Sequence, residues 1–225
     1  MVIMARDQSK LHPILQYKMK QLIELCEKEG LKIGIGECVR SVKEQNELYA
    51  KGRTKPGSIV TNAKGSTYSS LHQWGIAFDF YRNDGKGAYN ESGGFFKKVG
   101  KIAVSIGLEW GGNWKSFVDQ PHIQLPYWGS TSTKLKSKYK TPKQFMATWN
   151  PKKPEKLVKR GSSKEDVQWI QEQICKLTTI SLEIDGLMGK KTEDAIRAYQ
   201  LMLGWKGSDK AGIKTINALA KNRTK

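Results

Sequence analysis

Cysteine is scarce in this chain. There are three, Cys26, Cys38 and Cys175, with no CxxC spacing among them. An odd set of that kind excludes a zinc ribbon, a zinc finger or a disulfide framework and fits reduced thiols. Long apolar runs are missing too. No stretch approaches the ~20 residues that a membrane span needs, so membrane insertion is not expected. The N-terminal stretch MVIMARDQSKLHP has no apolar segment of signal-peptide length, which predicts a product made and kept in the cytoplasm until something releases it. Acidic residues are in short supply: 21 Asp and Glu face 39 Lys and Arg, for a net charge of +18. Such a balance suits any polyanion, whether nucleic acid, an anionic membrane or an acidic cell wall. The chain has no RNP motif, helix-turn-helix signature or Cys/His finger, so nucleic acid is not the expected partner.

What is present is enough for a folded core, since 38% of the residues are hydrophobic. Charge is densest between residues 129 and 156. That segment, GSTSTKLKSKYKTPKQFMATWNPKKPEK, is rich in Ser, Thr, Lys and Pro and poor in aliphatics. It reads as a linker extended by charge repulsion and proline. One short helix is allowed inside it, with Thr141 as N-cap, Pro142 in the first turn, and Phe145, Met146 and Trp149 on one face. The expected layout is a domain over 1–128, a linker over 129–156 and a second domain over 157–225.

In the first domain apolar residues recur at helical spacing from Leu11 to Cys26, and Gly30 is placed to end that helix. Leu31 to Ile35 alternates as a strand, Val42 to Ala50 reads as a short helix, and Gly52 to Tyr68 as a loop. Ile76 to Tyr81 alternates again, Phe95 to Ile106 is helical up to Gly107, and His122 to Leu125 is a last strand. The sum is an α+β domain with helices on a short, mostly antiparallel sheet. Downstream, Lys164 to Leu177, a helix opened by Thr192, and Lys214 to Ala220 predict a three-helix all-α module.

Chemistry concentrates on two of the three histidines. His12 lies in a polar stretch and reads as a surface residue. His72 sits in a turn before a strand that carries Asp79, and Gly75 between them allows a tight bend. His122 enters the last strand, three residues after Asp119 and just after Pro121. Two imidazoles and a carboxylate suit catalytic Zn2+, which takes three protein ligands and leaves one position open. Asp119 is then the candidate general base. Glu109, beside an aromatic and glycine-rich loop, is the rival acid and reads as structural. A thiol hydrolase using Cys38 leaves Asp79 and Asp119 unexplained. A non-enzymatic polyanion binder would hold the histidines as core residues, and neither rival needs zinc.

The segments Ser70-x-His72-x-x-Gly75-x-Ala77-x-Asp79 and Asp119-x-x-His122 resemble the zinc peptidases of the D-Ala-D-Ala carboxypeptidase and VanX/VanY type. They more closely resemble the L-alanyl-D-glutamate endopeptidases of phage endolysins and bacilli. The resemblance runs over most of residues 10–128. It includes Arg40-Ser41, Gln45, Leu48-Tyr49, Gly52-Arg53-Thr54, Ile59-Val60-Thr61, Leu108 to Gly112 and Trp114. It implies zinc on His72, Asp79 and His122, catalysis by Asp119, and substrate or oxyanion contacts from Arg40 and Ser70. Trp74 and Trp114 are expected to line the cleft. Related alternatives are a D-Ala-D-Ala carboxypeptidase and a cross-bridge D,D-endopeptidase. Val158 to Gly161, Asp185-Gly186-x-x-Gly189 with Thr192, and Tyr199-Gln200 resemble a three-helix peptidoglycan-binding domain. Together these imply an endolysin with peptidoglycan as substrate and anchor, acting as a monomer, held in the host cytoplasm until lysis and then at the wall.

Overall fold

The structure, a computed structural model, describes residues 7–224. The chain divides into two compact units after Trp149.

The first unit opens with helix α1 (Pro13–Lys28), followed by strand β1 (Ile33–Ile35), helix α2 (Val42–Ala50) and strand β2 (Ala77–Arg82). Helix α3 (Phe95–Ser105), strand β3 (Glu109–Trp110) and strand β4 (His122–Gln124) complete the expected set. The four strands form one antiparallel sheet in the order β1-β2-β4-β3. Local sequence accounts for most boundaries. Ser41 and Glu44 form a capping box at the start of α2. Past the end of α1, Leu31 N–H donates to Cys26 O and Gly30 N–H to Glu27 O, while Gly30 takes a φ of 70°. That is a Schellman ending, which a residue with a Cβ adopts only at a cost.

The core forms where α1 and α3 pack together and close over the sheet. Ile14, Leu15, Met19 and Leu22 of α1 and Phe95, Phe96, Val99 and Ala103 of α3 are all buried. On β2 the period of two sends Phe78 and Phe80 into that core, and the alternate position, Asp79, is free to face the other way.

The segment expected to be an open linker is folded along most of its length. Helices α4 (Thr133–Tyr139) and α5 (Pro142–Met146) occupy it, and Leu135 and Phe145 are fully buried. Thr141 caps α5 as anticipated. The Phe145 ring lies 5.0 Å from Trp128 and 6.0 Å from both Trp74 and His12. A few apolar residues of a lysine-rich stretch are thus buried, and burying one phenylalanine contributes roughly 1.5–3 kcal/mol. The first unit therefore extends 21 residues beyond the expected boundary at 128, to Trp149.

His12 is the second departure. It is 1% exposed, not on the surface, and its Nδ1 accepts the Ile14 N–H as the N-cap of α1. Trp128 and Trp149 pack at 5.0 Å from its ring. Burial pushes its pKa down to about 3, so the ring is neutral, as an accepting Nδ1 requires.

The second unit, residues 150–225, holds α6 (Lys164–Leu177), α7 (Lys190–Met202) and α8 (Ile213–Ala220). Val167, Ile170, Ile174, Ile196, Tyr199, Ile216 and Leu219 build its core. Gln171 pins the Asp185-Gly186 turn: its amide donates to Asp185 Oδ1 and its oxygen accepts the Gly186 N–H, both at 2.8 Å. Thr192 does not open α7. The helix begins two residues earlier, and the buried Thr192 hydroxyl reaches back to Leu187 O.

Candidate metal centre and cleft

Three elements deliver three candidate ligands. A single 3-10 turn, Leu71–Trp74, carries His72 and ends at Gly75, whose φ is 68°. A Cβ at Gly75 would lie 2.7 Å from the Trp149 ring, so both conformation and space demand glycine there. Asp79 and His122 are direct partners across the β2–β4 ladder.

The donor atoms meet at a point. His72 Nε2 is 3.2 Å from His122 Nδ1 and 3.2 Å from Asp79 Oδ1, and His122 Nδ1 is 3.3 Å from the same oxygen. The outer hydrogen bonds fix both tautomers. His72 Nδ1 lies 2.8 Å from the Cys38 carbonyl, which can only accept, so Nδ1 carries the proton and Nε2 keeps its lone pair. His122 Nε2 donates to Gln124 Oε1 at 2.9 Å, and Gln124 is oriented by its own amide donating to Ser130 O. Nδ1 of His122 is therefore the free nitrogen. Asp79 Oδ1 is buried with no hydrogen-bond donor, and its Oδ2 accepts from Arg40 Nη2 at 2.8 Å.

Three lone pairs at mutual distances near 3.3 Å repel unless a cation sits between them. Tetrahedral zinc at about 2.0–2.2 Å from N and O ligands separates those ligands by roughly 3.3 Å. The donor set and its spacing are those of a zinc site with an open fourth position, and the orienting bonds are the kind that hold metal-bound histidines. Electrostatics agree. Burial pushes the Asp79 carboxyl up, but the His72 and His122 imidazoles outweigh it and hold the group well below the usual carboxylate range. Burial and then Arg40 push His72 down. Burial also opposes charge on His122, yet Asp79 and Asp119 together raise its pKa. The two carboxylates draw one positive charge to this point.

The centre opens onto a cleft of about 760 Å3. Asp119 lines it, on the loop before β4, and is held by its N–H donating to Gly111 O at 3.1 Å. A Cβ on Gly111 would come within 2.5 Å of Asp119 O, so glycine is what lets this loop approach. Burial pushes the Asp119 carboxyl up, against an opposing pull from His122. Ser70 and Trp114 also line the cleft, and the Trp114 ring tilts over His122 at 5.0 Å.

Not every expected site residue faces this space. Trp74 is fully buried, its Nε1 donating to Tyr68 O at 2.9 Å, so it packs the core and cannot touch substrate. Arg40 lines the cleft, but its nitrogens are turned to Asp79, Glu37 and Gln45 rather than toward open space. Glu109 has one oxygen bonded by Trp114 Nε1 and the other by the Ser130 hydroxyl, both at 2.8 Å, which is a structural position. The Cys38 thiol is buried and pushed up to about 12, which excludes a thiolate nucleophile. Gln124 was overlooked in the sequence. Its signal was there: two residues beyond His122 on a strand, it shares the histidine's face.

The family described as D-alanyl-D-alanine carboxypeptidase matches residues 63–125, which span His72, Asp79, Asp119 and His122. The peptidoglycan L-alanyl-D-glutamate endopeptidase CwlK of Bacillus subtilis is 40% identical over 126 residues, which cover 52% of this chain and 74% of that protein. The chain belongs to this peptidase family. Another relative, the L-alanyl-D-glutamate peptidase of Listeria phage A118, is 34% identical over 114 residues, covering 49% of this chain and 36% of the phage protein. Among solved structures, the L-Ala D-Glu endopeptidase ChiX of Serratia marcescens aligns over 55% of this chain and 88% of its own, with 23% identity and a TM-score of 0.40. Outside the family's peptidase region, residues 163–219 match a peptidoglycan binding domain.

Proposed function

We propose that this chain is a wall-lytic, zinc-dependent endopeptidase that cleaves the L-alanyl-D-glutamate bond of peptidoglycan stem peptides. The observation that carries this reading is the convergence of His72, Asp79 and His122 beside Asp119 in one open cleft. Two relatives named for that bond support the choice of substrate.

Zinc, when bound, supplies Lewis acidity toward the scissile carbonyl and lowers the pKa of water. Asp119 takes the proton of the attacking water and returns it to the leaving amine. A burial-raised pKa suits a group that must both accept and release a proton. Arg40 holds the Asp79 carboxylate in register, and Ser70 and Trp114 contact the peptide. Residues 150–225 anchor the enzyme to the wall, which raises the local concentration of the peptidase unit at its substrate. The protein acts as a monomer. A lytic role implies that it waits in the host cytoplasm until the membrane is opened.

Mass spectrometry of fragments released from purified wall tests the bond. The expected products carry a new N-terminal D-glutamate and disappear with a chelator. Release of free D-alanine would instead make the enzyme a carboxypeptidase, and a cut at a cross-bridge a D,D-endopeptidase.

A further inference from the structure

A substrate cut at D-glutamate carries a charge that the cleft must receive. Glutamate has two carboxyl groups, and continuing the peptide uses only one. The other remains an anion close to the scissile nitrogen. Among the described residues of the cleft wall the one full cation is Arg40, and Asp79 and Glu37 already pair with it. Asp79, Asp119 and Glu37 otherwise make that wall acidic. Arg40 is taken, and zinc, when bound, serves the scissile carbonyl, so the side carboxylate needs a further cation.

The refolded segment after residue 128 supplies one. Ser130 and Thr131 line the cleft, and α4 follows at once, fixed by the fully buried Leu135. From the next position on that helix, Lys136 extends its ammonium to the hydroxyl of Ser69, at 3.4 Å. Ser69 is itself part of the cleft wall, and its hydroxyl sits 2.8 Å from that of Thr67. The Ser132 hydroxyl donates to Ser69 O at 3.4 Å, which ties the two strands of chain together. Lys136 is half-buried, and among the described residues no carboxylate neutralises it. The Thr67 hydroxyl donates to Lys64 O and the Ser69 hydroxyl to Thr67 Oγ1, so the ammonium is the donor left for a carboxylate, through one charge-assisted hydrogen bond.

We propose that Lys136, its ammonium held at the cleft wall by Ser69, binds the free carboxylate of the substrate's glutamate and so selects acidic over amidated stem peptides. The inference rests on the endopeptidase reading given above. It assigns a specificity role to a stretch whose composition is that of a spacer.

The test uses the full zinc-loaded chain carrying Asp119→Asn, so that peptide survives titration, and two synthetic stem peptides. One has the free glutamate carboxylate and the other the carboxamide. Lys136→Met is expected to weaken binding of the carboxylate peptide about tenfold, the scale of one charge-assisted hydrogen bond, with Lys136→Arg largely restoring it. The carboxamide peptide should bind the parent and the Lys136→Met variant alike and weakly. Equal binding of the carboxylate peptide by parent and Lys136→Met, or equal weakening of both peptides, would overturn the inference. Cleavage is read separately with Asp119 intact. If carboxylate-dependent binding is lost in Lys136→Met but the L-alanyl-D-glutamate bond is not cut, the bond assignment fails and the carboxylate site stands.

Discussion

Arg40 Nη2 donates to Asp79 Oδ2 at 2.8 Å, on the carboxylate oxygen turned away from the two imidazoles. The arginine thereby leaves Oδ1 as the candidate ligand atom and sets its direction. Arg40→Ala should therefore reduce zinc affinity by about 10–100-fold, as the loss of an orienting partner typically does. Competition with a colorimetric chelator measures it. Unchanged affinity with a collapsed kcat would instead place Arg40 at the developing oxyanion.

Asp119 can be separated from the ligands. His72→Ala, Asp79→Ala and His122→Ala should each lose both zinc and turnover. Asp119→Asn should keep zinc and lose turnover by about 10²–10⁴-fold, the usual worth of a general base. Glu109→Gln should stay active, because both its oxygens serve Trp114 and Ser130. Metal content and muropeptide cleavage on the same preparations check all five variants. A dead, zinc-loaded Glu109→Gln beside an active Asp119→Asn reverses the assignment of the base.

His12 predicts an acid limb in stability. Its folded pKa is about 3, against 6.5 for the free side chain. Between those values the unfolded chain binds a proton that the folded chain refuses. Stability from this residue is complete above pH 6.5 and falls with pH, by about 1.4 kcal/mol per unit at most, until about pH 3. His12→Asn keeps an N-cap acceptor and removes the titration. Denaturant unfolding followed by tryptophan fluorescence should show a shallower acid slope in the variant. Identical slopes would mean that the ring is solvated.

The boundary between the units is testable by truncation. Residues 7–149 should fold and cleave soluble muropeptides. A fragment ending at 128 should aggregate or unfold, because it strips Phe145 and Trp149 from His12, Trp74 and Trp128. Residues 150–225 should sediment with purified wall and cleave nothing. Circular dichroism, muropeptide turnover and wall pull-down across a salt series decide each point, with wall binding expected to weaken as salt rises. A stable, fully active fragment ending at 128 would show that α4 and α5 are dispensable.

The sequence by itself determined the candidate ligand set, most helix ends and the strands. Each rests on short-range rules. Ser41 and Glu44 cap a helix within four residues, a period of two places Phe78 and Phe80 opposite Asp79, and His-x-x-Gly-x-Ala-x-Asp brings a turn and a strand together within ten. Only the tertiary structure decided which side chains are covered. His12, Trp74 and Phe145 lie far apart in the chain, yet the three close one aromatic cluster. Burial depends on what packs from a distance, and a run of lysines conceals that Leu135 and Phe145 are both fully covered. The tautomer of His72 is of the same kind. It depends on where the Cys38 carbonyl, 34 residues away in the chain, falls in space, whereas that of His122 follows from Gln124, its neighbour on the same face of β4.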